Sequence, residues 1–201
     1  MLKLNDMKNL LKEALPHKRY DHSINVYETA LQLARAHGLS EDEVARVGVS
    51  ALLHDCGRQI PSRESLAKAE ELGIEVDEIE ANQPILLHAK LGVYYALKKY
   101  GVTDSDILDG IRYHTTGAPN MSVLAMIVYL ADLLEPTRDF PGIDDLRRLA
   151  KKDLEQAMMQ AYGNTMRYLL EYKLLIHPNC LEGYNQLAIK FKKQQNNCGS
   201  R

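Results

Sequence analysis

The sequence predicts an all-α fold. Nearly every long segment repeats its apolar residues at helical rather than alternating spacing, and no strand can be assigned. The breaks carry helix punctuation: Gly38 and Gly101 stand where a left-handed C-terminal cap is expected, and Ser40 with Glu43 and Thr103 with Asp106 have capping-box spacing. These signals give helices near 4–15, 19–37, 41–56, 62–72, 84–100, 104–114, 121–135, 144–174 with a possible break, and 180–193.

In the first segment, MLKLNDMKNLLKEAL, lysines interrupt the apolar positions, so it lacks the continuous hydrophobic run of a signal peptide. In the second, His22 is followed by Val26, Ala30 and Leu33 on one helix face, which turns His22 inward. Val44, Val47 and Ala51 run into His54, with Asp55 the next residue round the turn. His88 lines up with Leu91, Gly92 and Tyr95, and His114 with Ile107 and Ile111. Ala125 and Val128 lead to Asp132 in the same way. The connections His114–Met121 and Glu135–Asp145 are rich in Gly, Pro and Thr, and each directly follows a candidate ligand, as functional loops often do. No internal repeat is evident. Residues 1–193 are expected to form a single domain, and the polar end 194–201 is expected to be disordered.

At 201 residues the chain is long enough to bury a real core. A net charge of −2 excludes a polybasic nucleic-acid footprint over the whole surface, so any anionic ligand must be bound locally. Three cysteines without a CxxC pair suit a reducing cytosol rather than a disulfide scaffold. No segment approaches the roughly 20 apolar residues needed to span a bilayer. The expectation is a soluble, cytoplasmic protein with neither nucleic acid nor membrane as partner.

Imidazoles and carboxylates on buried faces must be paired or must coordinate a cation, because an unpaired polar group in a low-dielectric interior costs several kcal/mol. His22, His54, Asp55, His88, His114 and Asp132 together therefore read as a metal site, where one inward histidine alone would read as a satisfied core residue. Nitrogen and oxygen donors without thiolates favour Fe, Mn, Co, Ni or Zn. Such a metal lowers the pKa of bound water from 15.7 to about 7 and polarises a phosphoryl group. Arg58 lies one turn past the doublet, Arg138 a similar distance past Asp132, and Arg19 about one turn before His22, so all three are candidates for binding phosphate. His17, His37 and His177 read as capping, surface or rim residues, and Cys56 as packing.

These residues resemble the HD-domain superfamily of metal-dependent phosphohydrolases, in which a His, a His-Asp doublet and a later Asp bind the metal, here His22, His54-Asp55 and Asp132. The segments RYDHSINV, ALLHDCGR, ILLHAKLG, IRYHTTGAPNMS and YLADLLEPTRDFPGID look like the bacterial YqeK group, over about residues 15–190. Two positions depart from that group: Arg58 stands where Lys is usual, and Gly183-Tyr184-Asn185 where Ala-Arg-Asn is expected. The resemblance implies an HD-domain helical bundle, iron as the metal in one or two ions, and a homodimer. It also implies symmetrical cleavage of diadenosine tetraphosphate into two ADP, with ADP or a GDP-like product bound.

Asp55, His88 and His114 are the candidate catalytic residues. Arg19, Arg58, Arg138, His88 and His114 are the candidate substrate contacts. His88 and His114 either ligate a second metal sharing Asp55 or bind and protonate phosphate beside a single metal. The alternatives are another HD-type nucleotide phosphohydrolase, acting on deoxynucleoside monophosphates or guanosine polyphosphates, and a non-catalytic nucleotide sensor.

Overall fold

The structure is a computed structural model that describes residues 1–198; residues 199–201 lie outside the described residues. Its α-helices are α1 (Leu4–Ala14), α2 (His17–Ala36), α3 (Glu41–Leu53), α4 (Ser65–Glu71), α5 (Glu78–Asn82), α6 (His88–Lys98), α7 (Ser105–Tyr113), α8 (Val123–Leu134), α9 (Ile143–Ala150), α10 (Leu154–Glu171) and α11 (Pro178–Cys198). Short 3-10 turns stand at Cys56–Gln59, Ser62–Glu64 and Pro84–Leu87, and no strand lies among the described residues. The all-α expectation holds.

Helix α8 is central because its sequence, VLAMIVYLADLL, is apolar on every side, and a helix of that kind is stable only when surrounded. It packs against α2, α3, α7 and α10, and α2 packs in turn on α3. The core between them includes Val26, Val47, Leu52, Ile127 and Leu130, each essentially excluded from solvent. Truncating Leu130 to Ala is expected to cost about 2–5 kcal/mol. Asp132 is the single charged residue of α8, so the most enclosed helix of the bundle delivers one carboxylate to the place where α2 and α3 meet it.

Glycines set the approach of the site-bearing elements. A Cβ on Gly57 would lie 2.1 Å from His88 O and 2.6 Å from Gly92 N, so only glycine lets the turn after α3 press against α6. That contact brings Asp55 to His88. A Cβ on Gly110 would lie 2.3 Å from Ser50 Oγ, which donates to Ile107 O at 2.8 Å and joins α3 to α7.

Several boundaries differ from expectation for local reasons. The helix expected over 41–56 ends at Leu53, with His54 as its C-cap and the Cys56–Gln59 turn beyond. Ser40 and Glu43 form the expected capping box. At α7, however, the cap is Asp104 rather than Thr103: its carboxylate accepts from Asp106 N and Ile107 N and is also held by Arg46. Helix α5, with its own Asp77/Glu80 capping box, was not anticipated. The long segment 144–174 breaks after Ala150, and Asp153 caps α10. Helix α11 continues to Cys198, so the part of the expected disordered tail from 194 to 198 is helical. Lys192, Lys193, Gln194 and Gln195 are good helix formers and extend a helix already anchored by packing.

Candidate metal centre

Three of the inward histidines sit at helix ends, and this fixes which ring nitrogen faces the interior. His54 Nδ1 donates to Ala51 O at 2.7 Å, His88 Nδ1 to Ile85 O at 2.5 Å and His114 Nδ1 to Ile111 O at 2.7 Å. A carbonyl accepts only, so each ring carries its proton on Nδ1 and directs the lone pair of Nε2 the other way. At a helix end these carbonyls are free to be used.

His54 Nε2 is fully buried and has no hydrogen-bond partner among the described residues. His22 and Asp132 bring ligand atoms within 4.8 Å of it and of each other, and so, as a second group, do Asp55 and His114. His22 Nε2 lies 3.0 Å from Asp132 Oδ1. Asp55 Oδ1 lies 3.3 Å from His88 Nε2 and 3.7 Å from His114 Nε2. A buried imidazole lone pair without a donor is costly in an empty protein and is satisfied by a cation. The donor set, three to four imidazole nitrogens and two carboxylates, fits a divalent transition metal.

Burial divides the cluster. Asp55, His54, His88 and His114 form a closed floor, whereas the His22 and Asp132 side chains, 12 % and 22 % exposed, form its open lip. Burial lowers His54 to about 4 and His88 to about 3, which keeps both neutral and able to accept. Burial alone would raise Asp55, but the surrounding His54, His114 and His88 with the Arg58 guanidinium hold it well below the ordinary carboxylate value. Asp132 is held down in the same way, chiefly through His22. For His22 burial works downward, and Asp132 outweighs it and raises the ring above its usual value.

The candidate phosphate-binding arginines stand on the candidate ligand carboxylates. Arg58 Nε meets Asp55 Oδ1 at 2.6 Å and Arg19 Nη1 meets Asp55 Oδ2 at 3.3 Å. Arg138 Nη2 meets Asp132 Oδ1 at 2.7 Å. All nine sequence-predicted site residues thus converge on one locus. Two further residues belong to it that the sequence reading missed. Thr115 Oγ1 lies 3.2 Å from His88 Nε2 and 3.0 Å from His114 Nε2. Glu135, 1 % exposed, lies 3.3 Å from His22 Nδ1. Its signal was its place three residues past Asp132, one turn along the same face.

The remaining histidines lie elsewhere. His17 pairs with Asp21 on the surface, and His37 Nε2 donates to Ala150 O at 2.7 Å, tying the end of α2 to the end of α9. His177 Nε2 donates to Asp77 Oδ2 at 2.9 Å. Asp77, Glu80 and His177 also stand within metal-ligand range of one another, but Lys90 occupies Glu80 and Asn179 N donates to His177 Nδ1, so that cluster is satisfied by hydrogen bonds. Cys56 is buried and donates to Gly92 O at 3.3 Å, a packing residue.

The loop after His114 is fastened from the far side. Gly117 has φ +64°, and a Cβ there would lie 2.3 Å from Tyr162 Oη; a Cβ on Gly183 would lie 2.6 Å from the same atom. The Tyr162 hydroxyl accepts from Ala118 N at 3.2 Å. Gly183, where Ala was expected, makes room for this ring.

Comparison with known proteins gives a consistent picture. The HD domain matches residues 19–137. A symmetrical bis(5'-nucleosyl)-tetraphosphatase of Halalkalibacterium halodurans is 38 % identical over 183 residues, covering 91 % of this chain and 96 % of the relative. The protein of the same description from Bacillus subtilis is 37 % identical, over 89 % and 94 % of the two chains. A crystal structure of a Clostridium acetobutylicum protein, described as a predicted HD superfamily hydrolase involved in NAD metabolism, superposes with a TM-score of 0.87 at 33 % identity, covering 94 % of this chain and 99 % of that one.

Proposed function

This chain belongs to the HD-domain family, and from that premise we propose that it is a metal-dependent phosphohydrolase that cleaves diadenosine tetraphosphate symmetrically into two ADP. The observation that carries the reading is the convergence of Nε2 atoms on Asp55 and Asp132, with a buried His54 Nε2 that has no partner of its own among the described residues. When bound, a divalent metal supplies a water of lowered pKa, about 7 in a favourable site, and polarises the phosphoryl group that water attacks.

His22, His54, Asp55 and Asp132 are the residues that would hold it. Iron is the metal of this reading on the strength of the family resemblance, and the thiolate-free, imidazole-rich donor set fits it as it fits the other divalent transition metals. Arg58 and Arg19 beside Asp55, and Arg138 beside Asp132, flank the cluster on two sides and would take phosphate oxygens through bidentate forks. A tetraphosphate held between them would have its midpoint over the cluster, which would present the linkage between its second and third phosphates. His88 Nε2 and His114 Nε2 lie on the floor as acceptors, and either, once it has taken up a proton there, can hold it toward a bridging or leaving phosphate oxygen. ADP is a good leaving group, so a strong acid is not required.

The test is product identification after anaerobic reconstitution with Fe(II), Mn(II) or Co(II). Two ADP per diadenosine tetraphosphate is expected, with little activity on Mg(II) alone. ATP plus AMP would put the register off-centre. Hydrolysis of deoxynucleoside monophosphates alone would favour the monophosphatase, and tight binding without turnover a sensor. A cytoplasmic location and a homodimer complete the proposal, and the dimer is tested by the mass of the protein in solution.

A further inference from the structure

His22 differs from the other inward histidines in where its second nitrogen goes. His54, His88 and His114 spend Nδ1 on the carbonyl three residues back, which is possible because each stands at a helix terminus. His22 lies inside α2, where the preceding carbonyls are consumed by the helix's own ladder. Its Nδ1 must find an acceptor outside the helix, and it meets Glu135 Oε1 at 3.3 Å.

That carboxylate is itself held in place. Thr137 N donates to Oε2 at 2.8 Å and Thr137 Oγ1 to Oε1 at 2.5 Å. Asn25 Nδ2 reaches Oε2 at 3.4 Å, from the same helix as His22. Arg138 Nε lies 3.6 Å from Oε1 while its Nη2 holds Asp132, which closes a ring of His22, Asp132, Arg138 and Glu135. The ring nitrogen that faces the cluster is therefore set by a buried charge on the opposite side, at the one inward histidine that lies on the open lip.

We propose that Glu135 is the positioning carboxylate of the site: it holds the His22 proton on Nδ1, aims Nε2 at the metal position and strengthens it as a donor, with Thr137 and Asn25 as its clamp. This rests on the reading of His22 as a ligand. An outer carboxylate on a metal-bound histidine typically accounts for about 10- to 100-fold in metal affinity.

The experiment compares metal affinity by chelator competition and the visible absorption of the Co(II) form for the wild type, Glu135→Gln and His22→Ala. Glutamine keeps the shape and an acceptor oxygen and removes the charge. Glu135→Gln should bind Co(II) and Mn(II) about 10- to 100-fold more weakly, with a changed Co(II) spectrum and unchanged helical content. Affinity and spectrum equal to wild type would overturn the proposal. Should the glutamine variant fail to fold, Thr137→Val and Asn25→Ala decide, each expected to weaken binding by a smaller factor and each overturning the proposal if both leave affinity and spectrum unchanged. His22→Ala separates the two levels: if it too leaves affinity unchanged, His22 is not a ligand and the site assignment fails. If His22→Ala loses the metal and the Glu135 and clamp variants do not, only the role of Glu135 fails.

Discussion

His88 Nε2 and His114 Nε2 lie 3.0 Å apart, yet the Nδ1–H of each is spent on Ile85 O or Ile111 O, so the two Nε2 atoms face each other as acceptors. The Thr115 hydroxyl can donate to only one of them at a time, and the neighbouring Asp55 Oδ1 is another acceptor. The floor of the site is thus a group of acceptors that a cation, or a proton taken up at one Nε2, would satisfy.

His88→Ala and His114→Ala should each lower kcat by about 10²–10⁴, the usual contribution of a positioned proton carrier. Metal bound by His22, His54, Asp55 and Asp132 should stay. Metal content per chain alongside kcat checks this. Loss of metal in step with activity would instead make the two histidines ligands.

Arg58→Ala and Arg138→Ala should raise KM for the tetraphosphate more than they change metal content. Charge-assisted contacts to phosphate contribute about 1.5–3 kcal/mol each, roughly a 10- to 100-fold change. Arg58→Lys should recover part of the loss, because it restores the charge without the planar fork. An unchanged KM in both alanine variants would remove these side chains from the substrate.

Asp104 links stability to pH at the start of the helix that ends in His114. Its hydrogen bonds from Arg46 hold the carboxyl below its ordinary value of 3.8. A lowered folded pKa contributes stability above that ordinary value and loses it as pH falls through the folded value. Asp104→Ala should cost about 1 kcal/mol near neutral pH through the missing cap, and the difference from wild type should shrink below pH 4. Thermal melts across that range measure both.

Tyr162→Phe should lower stability by about 1–3 kcal/mol, since Ala118 N would be left buried without its acceptor. Gly117→Ala should do more damage, because it combines a positive φ with a Cβ placed against Tyr162. Both should reduce turnover through the loop that carries Thr115 and leave metal affinity at His22 and Asp132 near wild type. Melting temperature, kcat and metal titration separate the three effects.

The residues that meet at the site were legible in the sequence wherever a donor falls on an apolar repeat. His22 is followed at helical spacing by Val26 and Ala30, and Asp132 interrupts an otherwise apolar helix. Periodicity states which face looks inward but not what satisfies the far side of a ring. Glu135 and Thr115 therefore escaped: each lies just past a helix end, where the repeat has stopped and the contact is tertiary. Boundaries failed for a related reason. Thr103 and Asp104 are both acceptable caps, and Arg46, 58 residues earlier in the chain, favours the second. Helix α3 gives way to the Cys56–Gln59 turn where Gly57 must meet Gly92, a requirement that no local pattern records.

The donors around His54 come from residue 22 at one extreme and residue 132 at the other, and the last of them is carried by the helix on which α2, α3, α7 and α10 all pack. No contiguous fragment ending before α8 contains the full set. During synthesis the chain emerges N-terminus first, so His22 and the His54-Asp55 doublet leave the ribosome long before their partner. With the ligand set proposed above, tight metal capture would be a late event, available only after the central helix has docked, and a product truncated before it would lack the Asp132 donor.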